Sequence, residues 1–194
     1  MYDILLTYIS QRAVTPITAE QAVLIRDAFK PKKLRKKQYL LQEGDVCKYL
    51  SFMVKGAMHQ YSIDEKGNEH IVRFGIEQWW MADRESFEMQ TPTRYNIDAW
   101  EETELLQISR PAYLSLRDAV PAVMEMTQEL DKRGSIAAQK RIQAVISYTA
   151  EERYLDLLKT HPYFLQRFPQ HMIASYLGIS AETLSRIRKQ ALSK

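Results

Sequence analysis

Short alternating hydrophobic runs between Lys32 and Ser109 are the feature that most limits the folds open to this chain. The runs include YLLQEGD, YLSFMVKGAMHQYSID, EKGNEHIVRFG, RYNIDAW and ETELLQIS, and they are punctuated by Gly44, Gly56, Gly67 and Gly75. In AMHQYSIDEKGNEHIVRF, two alternating runs flank DEKGN, which predicts a hairpin with its glycine in the left-handed region. Many short strands at this spacing indicate an antiparallel sandwich or barrel.

Helical patterns flank the strand region on both sides. Two amphipathic helices are predicted before it, over about Tyr2 to Arg12 and over Thr18 to Phe29, where TAEQ is a capping signal and Pro31 follows. Helix returns at Arg110, and a long helical run begins at Pro121. A further helix is predicted from Thr149 to Thr160, because TAEE is a capping box. The sequence thus predicts an α+β fold.

The long helical run from Pro121 has unusually small residues at its centre. Glycine inside a helix costs about 1 kcal/mol relative to alanine, whereas small side chains let a second helix pack very close. We therefore expect a dimer seam, and the alternative is packing of this helix against the chain's own barrel. The predicted seam residues are Val123, Met126, Leu130, Gly134, Ala137 and Ala138.

Composition and cysteine content limit the class of protein. A hydrophobic content of 45% with six Gly and seven Pro is typical of globular proteins. No segment approaches the ~18 apolar residues of a membrane span, and the N-terminal MYDILLTYIS lacks the basic leader of a signal peptide. The single cysteine, Cys47, excludes an internal disulfide and any four-cysteine metal site within one chain. We expect a cytoplasmic protein with no membrane partner.

The segment from Pro169 to Lys189 has the pattern of a helix–turn–helix. It predicts a first helix from Pro169 to Leu177, a tight turn at Gly178, and a second helix capped by Ser180. Ala174 is small where the two helices would cross. The residues expected to be buried are Ile173, Leu177, Ile179, Leu184 and Ile187.

The exposed face of the predicted second helix suits the major groove of DNA. Arginine can bond guanine bidentately, and glutamate can accept a hydrogen bond from cytosine N4. From Pro162 to Lys194, five Lys or Arg residues stand against one acid, which suits an anionic partner. The alternative is a terminal helical hairpin with a solvated face. The face consists of Ala181, Glu182, Ser185, Arg186, Arg188 and Lys189, of which Ser185, Arg188 and Lys189 are placed for phosphates.

The stretch QHMIASYLGISAETLSRIRK resembles the helix–turn–helix of the CRP/FNR transcription regulators. The second helix of that family typically carries S-x-E-T-x-S-R, which is matched here by Ser180, Glu182, Thr183, Ser185 and Arg186. LLQEGD and VKGAMHQY resemble the family's early strands, and the order of elements agrees over essentially the whole chain. The resemblance implies an N-terminal antiparallel β-roll (a double-stranded β-helix) with flanking helices over residues 1–118, a dimerisation helix over 119–147 and a helix–turn–helix domain over 148–194.

The same resemblance implies a sequence-specific transcriptional regulator that binds double-stranded DNA as a homodimer. RNA polymerase and a small-molecule effector in the β-roll are the further partners it implies. Glu182 and Arg186 are the implied base readers, and Thr183 is implied to reach a phosphate or to support the helix. Ala181 stands where the family often has an arginine, so we expect one base contact to be lost or replaced. Because five residues follow Lys189, we expect the family's β-hairpin wing to be absent.

The segment QWWMADRESFEMQTPTRYNIDAW departs from the family's cyclic-nucleotide cassette. That cassette carries G-E-L-x and then R-S or R-T, and it holds the phosphate. Here there is no glycine or G-E pair, and Arg94 precedes Tyr95. We therefore expect that cyclic AMP is not the effector, whose identity the sequence leaves unknown. The candidate effector pocket is lined by Trp79, Trp80, Arg94 and Tyr95, although the aromatic residues suit a barrel core equally and Arg94 suits an ion pair with a nearby acid.

Other features of the sequence have more than one interpretation. His59 and His70 lie on opposite arms of the predicted hairpin, but no third ligand is suitably spaced, so we expect no metal site. The basic run KPKKLRKK, Lys30 to Lys37, suits either DNA flanks or an edge strand protected by lysine. We do not expect an enzyme, because a cupin-like small-molecule-binding protein or enzyme needs a cluster of polar ligands. A last alternative is a regulator-like fold whose helix pair binds another protein.

Overall fold

In the computed structural model, the described residues 1–192 form two compact units. The first contains residues 1–60 and 75–133, and the second contains residues 61–74 and the described residues from Gly134 onward. Ser193 and Lys194, which end the predicted DNA-binding domain, lie outside the described residues. The two units divide the chain differently from the predicted domains, since residues 61–74 of the strand region group with the C-terminal helices.

The strand region, for which the alternating pattern predicted an antiparallel sandwich or barrel, forms two four-stranded sheets. The strands are β1 (Lys30–Leu34), β2 (Tyr39–Leu41), β3 (Tyr49–Lys55), β4 (Met58–Ile63), β5 (Glu69–Gly75), β6 (Trp80–Met81), β7 (Asn96–Ala99) and β8 (Thr103–Ser109). One sheet has the order β1–β8–β3–β6 and the other has the order β2–β7–β4–β5. β8 pairs antiparallel with both β1 and β3. The α+β class and the antiparallel β-roll are confirmed.

Helices flank these strands close to the predicted positions. They are α1 (Tyr2–Ser10), α2 (Ala19–Ala28), α3 (Arg84–Met89), α4 (Arg110–Ala119) and α5 (Pro121–Ser147). α2 begins with the predicted capping box, in which Thr18 Oγ1 accepts from the Gln21 N–H and Gln21 Oε1 accepts from the Thr18 N–H. α1 ends at Ser10, two residues before the predicted Arg12. The sequence did not predict the short helix α3.

A hydrophobic core joins the helices of the first unit to its strands. Leu5 of α1, Ile25 of α2, Phe52 of β3 and Leu105 of β8 all have 0% of their surface exposed. Burying a side chain of this kind contributes about 1.5–3 kcal/mol. The helices before the strands are therefore part of the same folded unit as the β-roll.

Among the described residues, the second unit contains the part of α5 from Gly134 onward, four further helices, and residues 61–74, which we call the β5 arm. The helices are α6 (Ala150–Thr160), α7 (Pro162–Arg167), α8 (Gln170–Leu177) and α9 (Ala181–Leu192). α6 begins with the predicted capping box between Thr149 and Glu152. The Phe74 ring at the end of the arm stacks on Phe168 with 4.0 Å between centroids. No helix within residues 1–192 is long and apolar enough to cross a membrane.

The carboxylate of Asp64 closes the hairpin turn between β4 and β5. Gly67 takes a φ of 83°, which is the predicted left-handed conformation. Asp64 accepts hydrogen bonds from Asn68 and from the Lys66 N–H, and its Oδ2 lies 3.0 Å from Nε2 of His70. These contacts, led by those from Asn68, hold the pKa of the Asp64 carboxyl well below its usual range. The predicted hairpin is confirmed together with its turn glycine.

Candidate nucleic-acid interface

Helices α8 and α9 meet at a sharp turn closed by backbone hydrogen bonds. Gly178 takes φ 67° and ψ 39°, and its N–H reaches back to the carbonyl oxygen of Ser175. The Ile179 N–H donates to the carbonyl oxygen of Ala174 at 3.0 Å, which completes a Schellman ending of α8. The predicted turn at Gly178 is therefore present. Pro169 caps α8 rather than opening it, so the helix begins one residue later than predicted.

The inner faces of α8 and α9 are apolar and buried. Ala174 is 2% exposed, as a small residue at a helix crossing should be. Ile173, Leu177, Leu184 and Ile187 are buried too, whereas the fifth predicted core residue, Ile179, is only half-buried. This packing fixes which side of α9 faces solvent. The packing of the helix pair therefore holds α9 in one orientation, with its other side facing solvent.

The solvent face of α9 carries the residues that the sequence singled out. Ala181, Glu182, Arg186 and Lys189 are exposed, as is the capping residue Ser180. The side chains that lie at the edges of this face, half-buried, are Thr183, Ser185 and Arg188. The helix pair thus brings all eight predicted positions onto one helix and its cap.

Hydrogen bonds at the start of α9 hold Ser180, Glu182 and Thr183 in place. Ser180 Oγ accepts from the Thr183 N–H at 3.2 Å, and it lies 3.2 Å from Thr183 Oγ1. The Glu182 carboxyl accepts from its own backbone N–H and from the Ser180 hydroxyl, and these bonds lower its pKa in that order of size. Glu182 is therefore ionised at neutral pH, and four positions later Arg186 places a guanidinium on the same face.

The candidate effector residues line neither of the two clefts described in this paragraph. Trp80 packs into the core, with its ring centroid 5.3 Å from that of Phe52. Trp79 and Tyr95 are half-buried and Arg94 is exposed. Two clefts of the first unit have other linings. One of about 260 Å³ includes Cys47, and one of about 750 Å³ lies at the turn between β1 and β2.

An acid occupies the start of α3, within the segment compared above with the cyclic-nucleotide cassette. Asp83 accepts from the Glu85 N–H at 3.1 Å and from the Thr93 hydroxyl at 2.6 Å. A helix N-terminus favours an anion, and here the protein supplies its own carboxylate. The Asp-Arg-Glu sequence at residues 83–85 was the available signal for this helix, because aspartate is a preferred N-cap.

The two histidines of the hairpin contact different carboxylates. His59 Nδ1 lies 3.0 Å from Oδ1 of Asp98, and both residues are buried. His70 is exposed and contacts Asp64 in the turn. Cys47 is buried, and burial raises the pKa of its thiol. In the described part of the chain, no group of three or more His, Cys, Asp or Glu side chains could hold a metal ion.

The predicted seam residues of α5 fall into two environments. Val123 and Met126 are each 3% exposed and belong to the hydrophobic core of the first unit, and Leu130 packs against that core. These three residues therefore make contacts inside their own chain. Gly134, Ala137 and Ala138 are exposed. Further along the helix, the large apolar residues Ile142 and Val145 are 61% and 60% exposed, and the predicted seam did not include them.

Comparison with known proteins identifies the β-roll. The sequence profile of the cyclic nucleotide-binding domain matches residues 31–119. No curated protein sequence matches the chain significantly.

Solved structures resemble most of the chain. FixK2 from Bradyrhizobium japonicum has a TM-score of 0.72 at 18% identity, with 85% of each chain covered. The c-di-GMP-responsive global regulator CLP from Xanthomonas campestris has a TM-score of 0.67 at 15% identity and covers 91% of this chain and 92% of its own. A CRP/FNR-family transcriptional regulator from Eubacterium rectale has a TM-score of 0.65 at 17% identity, with 89% and 82% covered. Residues 31–119 thus match the model of the cyclic nucleotide-binding domain, and the chain shares its fold with these regulators.

Proposed function

We propose that this protein is a transcription regulator that binds a specific double-stranded DNA sequence as a homodimer and reads it with α9. The observation that carries the proposal is the exposed polar face of α9, held outward by a buried apolar face on the same helix. A recognition helix in a helix–turn–helix enters the major groove with residues near its N-terminus against the base edges. Glu182 and Arg186 occupy the first turns of α9.

The residues of α9 divide into base readers and phosphate contacts. Arg186 can donate two hydrogen bonds to guanine, and the ionised Glu182 can accept one from cytosine N4. Ala181 offers only a methyl group, which suits contact with the methyl of thymine. The side chains assigned to the phosphates are Ser185, Arg188 and Lys189, and contacts of that kind position the protein without reading sequence. Thr183 supports the helix through Ser180.

The homodimer is supported by the exposed apolar surface of α5. Every residue from Asp131 to Gln143 is exposed, and the printed contacts of this segment with other described elements are made by polar side chains, Asp131 with Arg84 and Arg141 with Val72. Gly134, Ala138, Ile142 and Val145 follow one another at spacings of four, four and three residues, which places them along one side of an α-helix. We call these four residues the α5 stripe. A continuous apolar patch of this kind marks a protein interface, and a second copy offers the same stripe.

We further propose that any effector of this protein is not cyclic AMP. Asp83 caps α3 inside the segment that would have to hold the cyclic phosphate, and Glu85 follows in the first turn of that helix. Both carboxylates oppose an anionic group there. Arg94 is exposed, and Tyr95 takes the place of the small hydroxyl residue of the cassette.

In vitro selection of bound sites from a random DNA library tests the function directly. The wild type is expected to enrich a palindrome, because two α9 helices related by a two-fold axis read inverted half-sites. The variant E182A/R186A is expected to fold and to lose the enriched sequence. A folded wild-type protein that enriches nothing, with or without a small-molecule extract of cells, would contradict the proposal.

Lys189 supplies the matched control on the same helix. Arg186→Ala should cost about 1–3 kcal/mol on the selected site and relax the preference for one base. Lys189→Ala removes the same charge but should weaken specific and random DNA alike, and it should reduce the salt slope by about 1. If both variants lost the same affinity for the selected site and for random DNA, Arg186 would not be a base-reading residue.

A further inference from the structure

Five of the ten residues that line the larger of the two clefts described above are cations. The cleft has a volume of about 750 Å³ and lies where the turns β1–β2, β3–β4 and β7–β8 come together. Its charged lining consists of Lys33, Arg35, Lys36, Lys37, Lys55, Glu102 and Glu104. None of these residues belongs to α9 or to the candidate effector segment, so the cleft has no role in the function proposed above.

Three of the cations in this cleft form no salt bridge within the described residues, although the charge of one of them, Lys55, helps to lower the pKa of the Glu104 carboxyl. Lys33 is committed to Glu104, with 2.8 Å between Nζ and Oε1, and Lys36 lies over the Trp100 ring at 4.7 Å from its centroid. In contrast, no described residue forms a salt bridge with Arg35, Lys37 or Lys55. Like charges held this close repel one another, and a bound anion would remove that repulsion.

The backbone holds Lys37 at the cleft in an unusual conformation. Its φ is 66°, and its N–H donates to the carbonyl oxygen of Ala99 at 2.6 Å. Residues other than glycine and asparagine rarely adopt this left-handed region, and they persist there when the surrounding structure imposes it. At Lys37 the turn therefore keeps a cationic side chain where glycine would be less strained.

The lining also includes the carboxylate of Glu102, which can accept hydrogen bonds. Glu102 is exposed and forms no salt bridge with any described residue. The backbone of duplex DNA offers anionic phosphates and sugars without hydrogen-bond donors, so a carboxylate at the contact is unfavourable. A compact ligand with phosphates at one end and hydroxyl or amino donors at the other fits both kinds of group, since carboxylates commonly accept from ribose hydroxyls.

We propose that this cleft binds a nucleoside polyphosphate, with its phosphates on Arg35, Lys37 and Lys55 and its sugar or base donors toward Glu102. Arginine can bind a phosphate through two hydrogen bonds, and each lysine adds a charge-assisted hydrogen bond. The site is separate from the segment in which a cyclic nucleotide would bind. The proposal does not depend on DNA recognition by α9.

Calorimetric titration with inorganic tripolyphosphate and with ATP, at physiological salt, tests the site. The cleft variant is R35Q/K37Q/K55Q. The control variant is K30Q/K66Q/K132Q, which removes the same charge from three exposed lysines elsewhere. We expect one tripolyphosphate per wild-type chain, a loss of roughly tenfold or more in the cleft variant, and little change in the control. Equal weakening in both variants, or no saturable binding to the wild type, would overturn the proposal.

Two further measurements distinguish a nucleoside polyphosphate from inorganic polyphosphate and from duplex DNA. ATP should bind more tightly than tripolyphosphate to the wild type, and Glu102→Ala, which removes the acceptor group, should remove that advantage. Equal binding of the two probes would reject the nucleoside part. If the cleft variant instead loses affinity for random duplex DNA and the wild type ignores tripolyphosphate, the cleft is a DNA contact and the proposal fails. The single substitution Lys55→Glu repeats the test. It should weaken the binding of tripolyphosphate, and thermal unfolding should show that the variant is folded.

Discussion

At the scale of single residues, Ser180 connects the stability of α9 to the DNA reading that we propose for this helix. Its side chain accepts from the Thr183 N–H and also contacts the Glu182 carboxyl. Replacing an N-cap serine with alanine costs about 0.5–2 kcal/mol of stability. Ser180→Ala should therefore lower the free energy of unfolding by about 1 kcal/mol, as measured by urea denaturation.

Ser180→Asp is the matched variant, because aspartate caps helices as well as serine does. It should restore the stability, but it places a second carboxylate beside Glu182 and should weaken DNA binding. A Ser180→Asp protein with unchanged DNA affinity would show that the start of α9 lies away from the phosphates.

His161 gives the second unit a pH dependence that can be measured near neutrality. It lies between α6 and α7, and its ring centroid is 4.9 Å from that of Phe164. Burial lowers the pKa of its imidazole, and the charge of Asp156 opposes this only in part. An unfolded histidine titrates near 6.5. Over the pH range below that value the unfolded chain binds the proton more readily, so stability is lost as the pH falls toward the folded pKa.

We therefore expect the melting temperature of the wild type to fall more between pH 8 and pH 5 than that of His161→Gln. The exposed His171 on α8 is the control, and His171→Gln should keep the wild-type slope. Parallel slopes for the wild type and His161→Gln would refute the assignment of this pH dependence to His161.

At the scale of elements, the arm of β5 is a structural part of the helical unit. Ser175 Oγ accepts from the Ile71 N–H and donates to the Glu69 carbonyl oxygen, both at 2.9 Å. Arg141 donates to the Val72 carbonyl oxygen, and its guanidinium lies 4.4 Å from the centroid of the Tyr176 ring. Phe74 is 1% exposed among aromatic rings of α7 and α8. The arm thus satisfies polar groups and fills the apolar centre of this unit.

Phe74→Ala should destabilise this unit by about 3–5 kcal/mol, because it removes a large buried ring and leaves a cavity. Tyr163→Ala is the control on the same unit, since Tyr163 is 61% exposed and surface substitutions change stability by about 0.5 kcal/mol or less. Hydrogen exchange of the α8 amides provides the local measurement. Unchanged α8 protection in Phe74→Ala would mean that the arm does not support the helix pair.

The elements also show which structural features a sequence can reveal. Thr18, Thr149, Gly178 and Ser180 act on neighbours within a few positions, and the helix ends that they predicted are present. The hairpin around Gly67 was predictable for the same reason. The contact of Ser175 with the β5 arm joins residues 104 positions apart, and no local pattern reports it. The burial of Trp80 likewise depends on distant strands, so a pocket and a core looked alike.

At the scale of the whole molecule, the α5 stripe predicts how the protein assembles. In a single chain, a Cβ added at Gly134 meets no described atom within 4 Å beyond its chain neighbours and the adjacent backbone of α5, so a larger side chain fits there. Against the α5 of a second copy, the same side chain would separate two closely packed helices. Gly134→Leu should therefore leave the folded chain intact and weaken the homodimer.

Val145→Glu and Ile136→Glu form a matched pair that locates the seam. The two positions are nine residues apart, about two and a half turns of helix, so their side chains lie on opposite sides of α5. Both are exposed, at 60% and 44%. Because an unpaired charge is costly to bury, Val145→Glu should weaken dimerisation by roughly a hundredfold or more in sedimentation equilibrium, whereas Ile136→Glu should not.

The same variants predict the cooperativity of DNA binding. If the stripe is the seam, the melting temperature of the wild type should rise with protein concentration, and that of Val145→Glu should not, because only a species that associates gains stability by mass action. Val145→Glu should then bind a single half-site as the wild-type monomer does, and lose the added affinity for the palindrome. Loss of dimer and palindrome binding in Ile136→Glu but not in Val145→Glu would place the seam on the opposite side of α5.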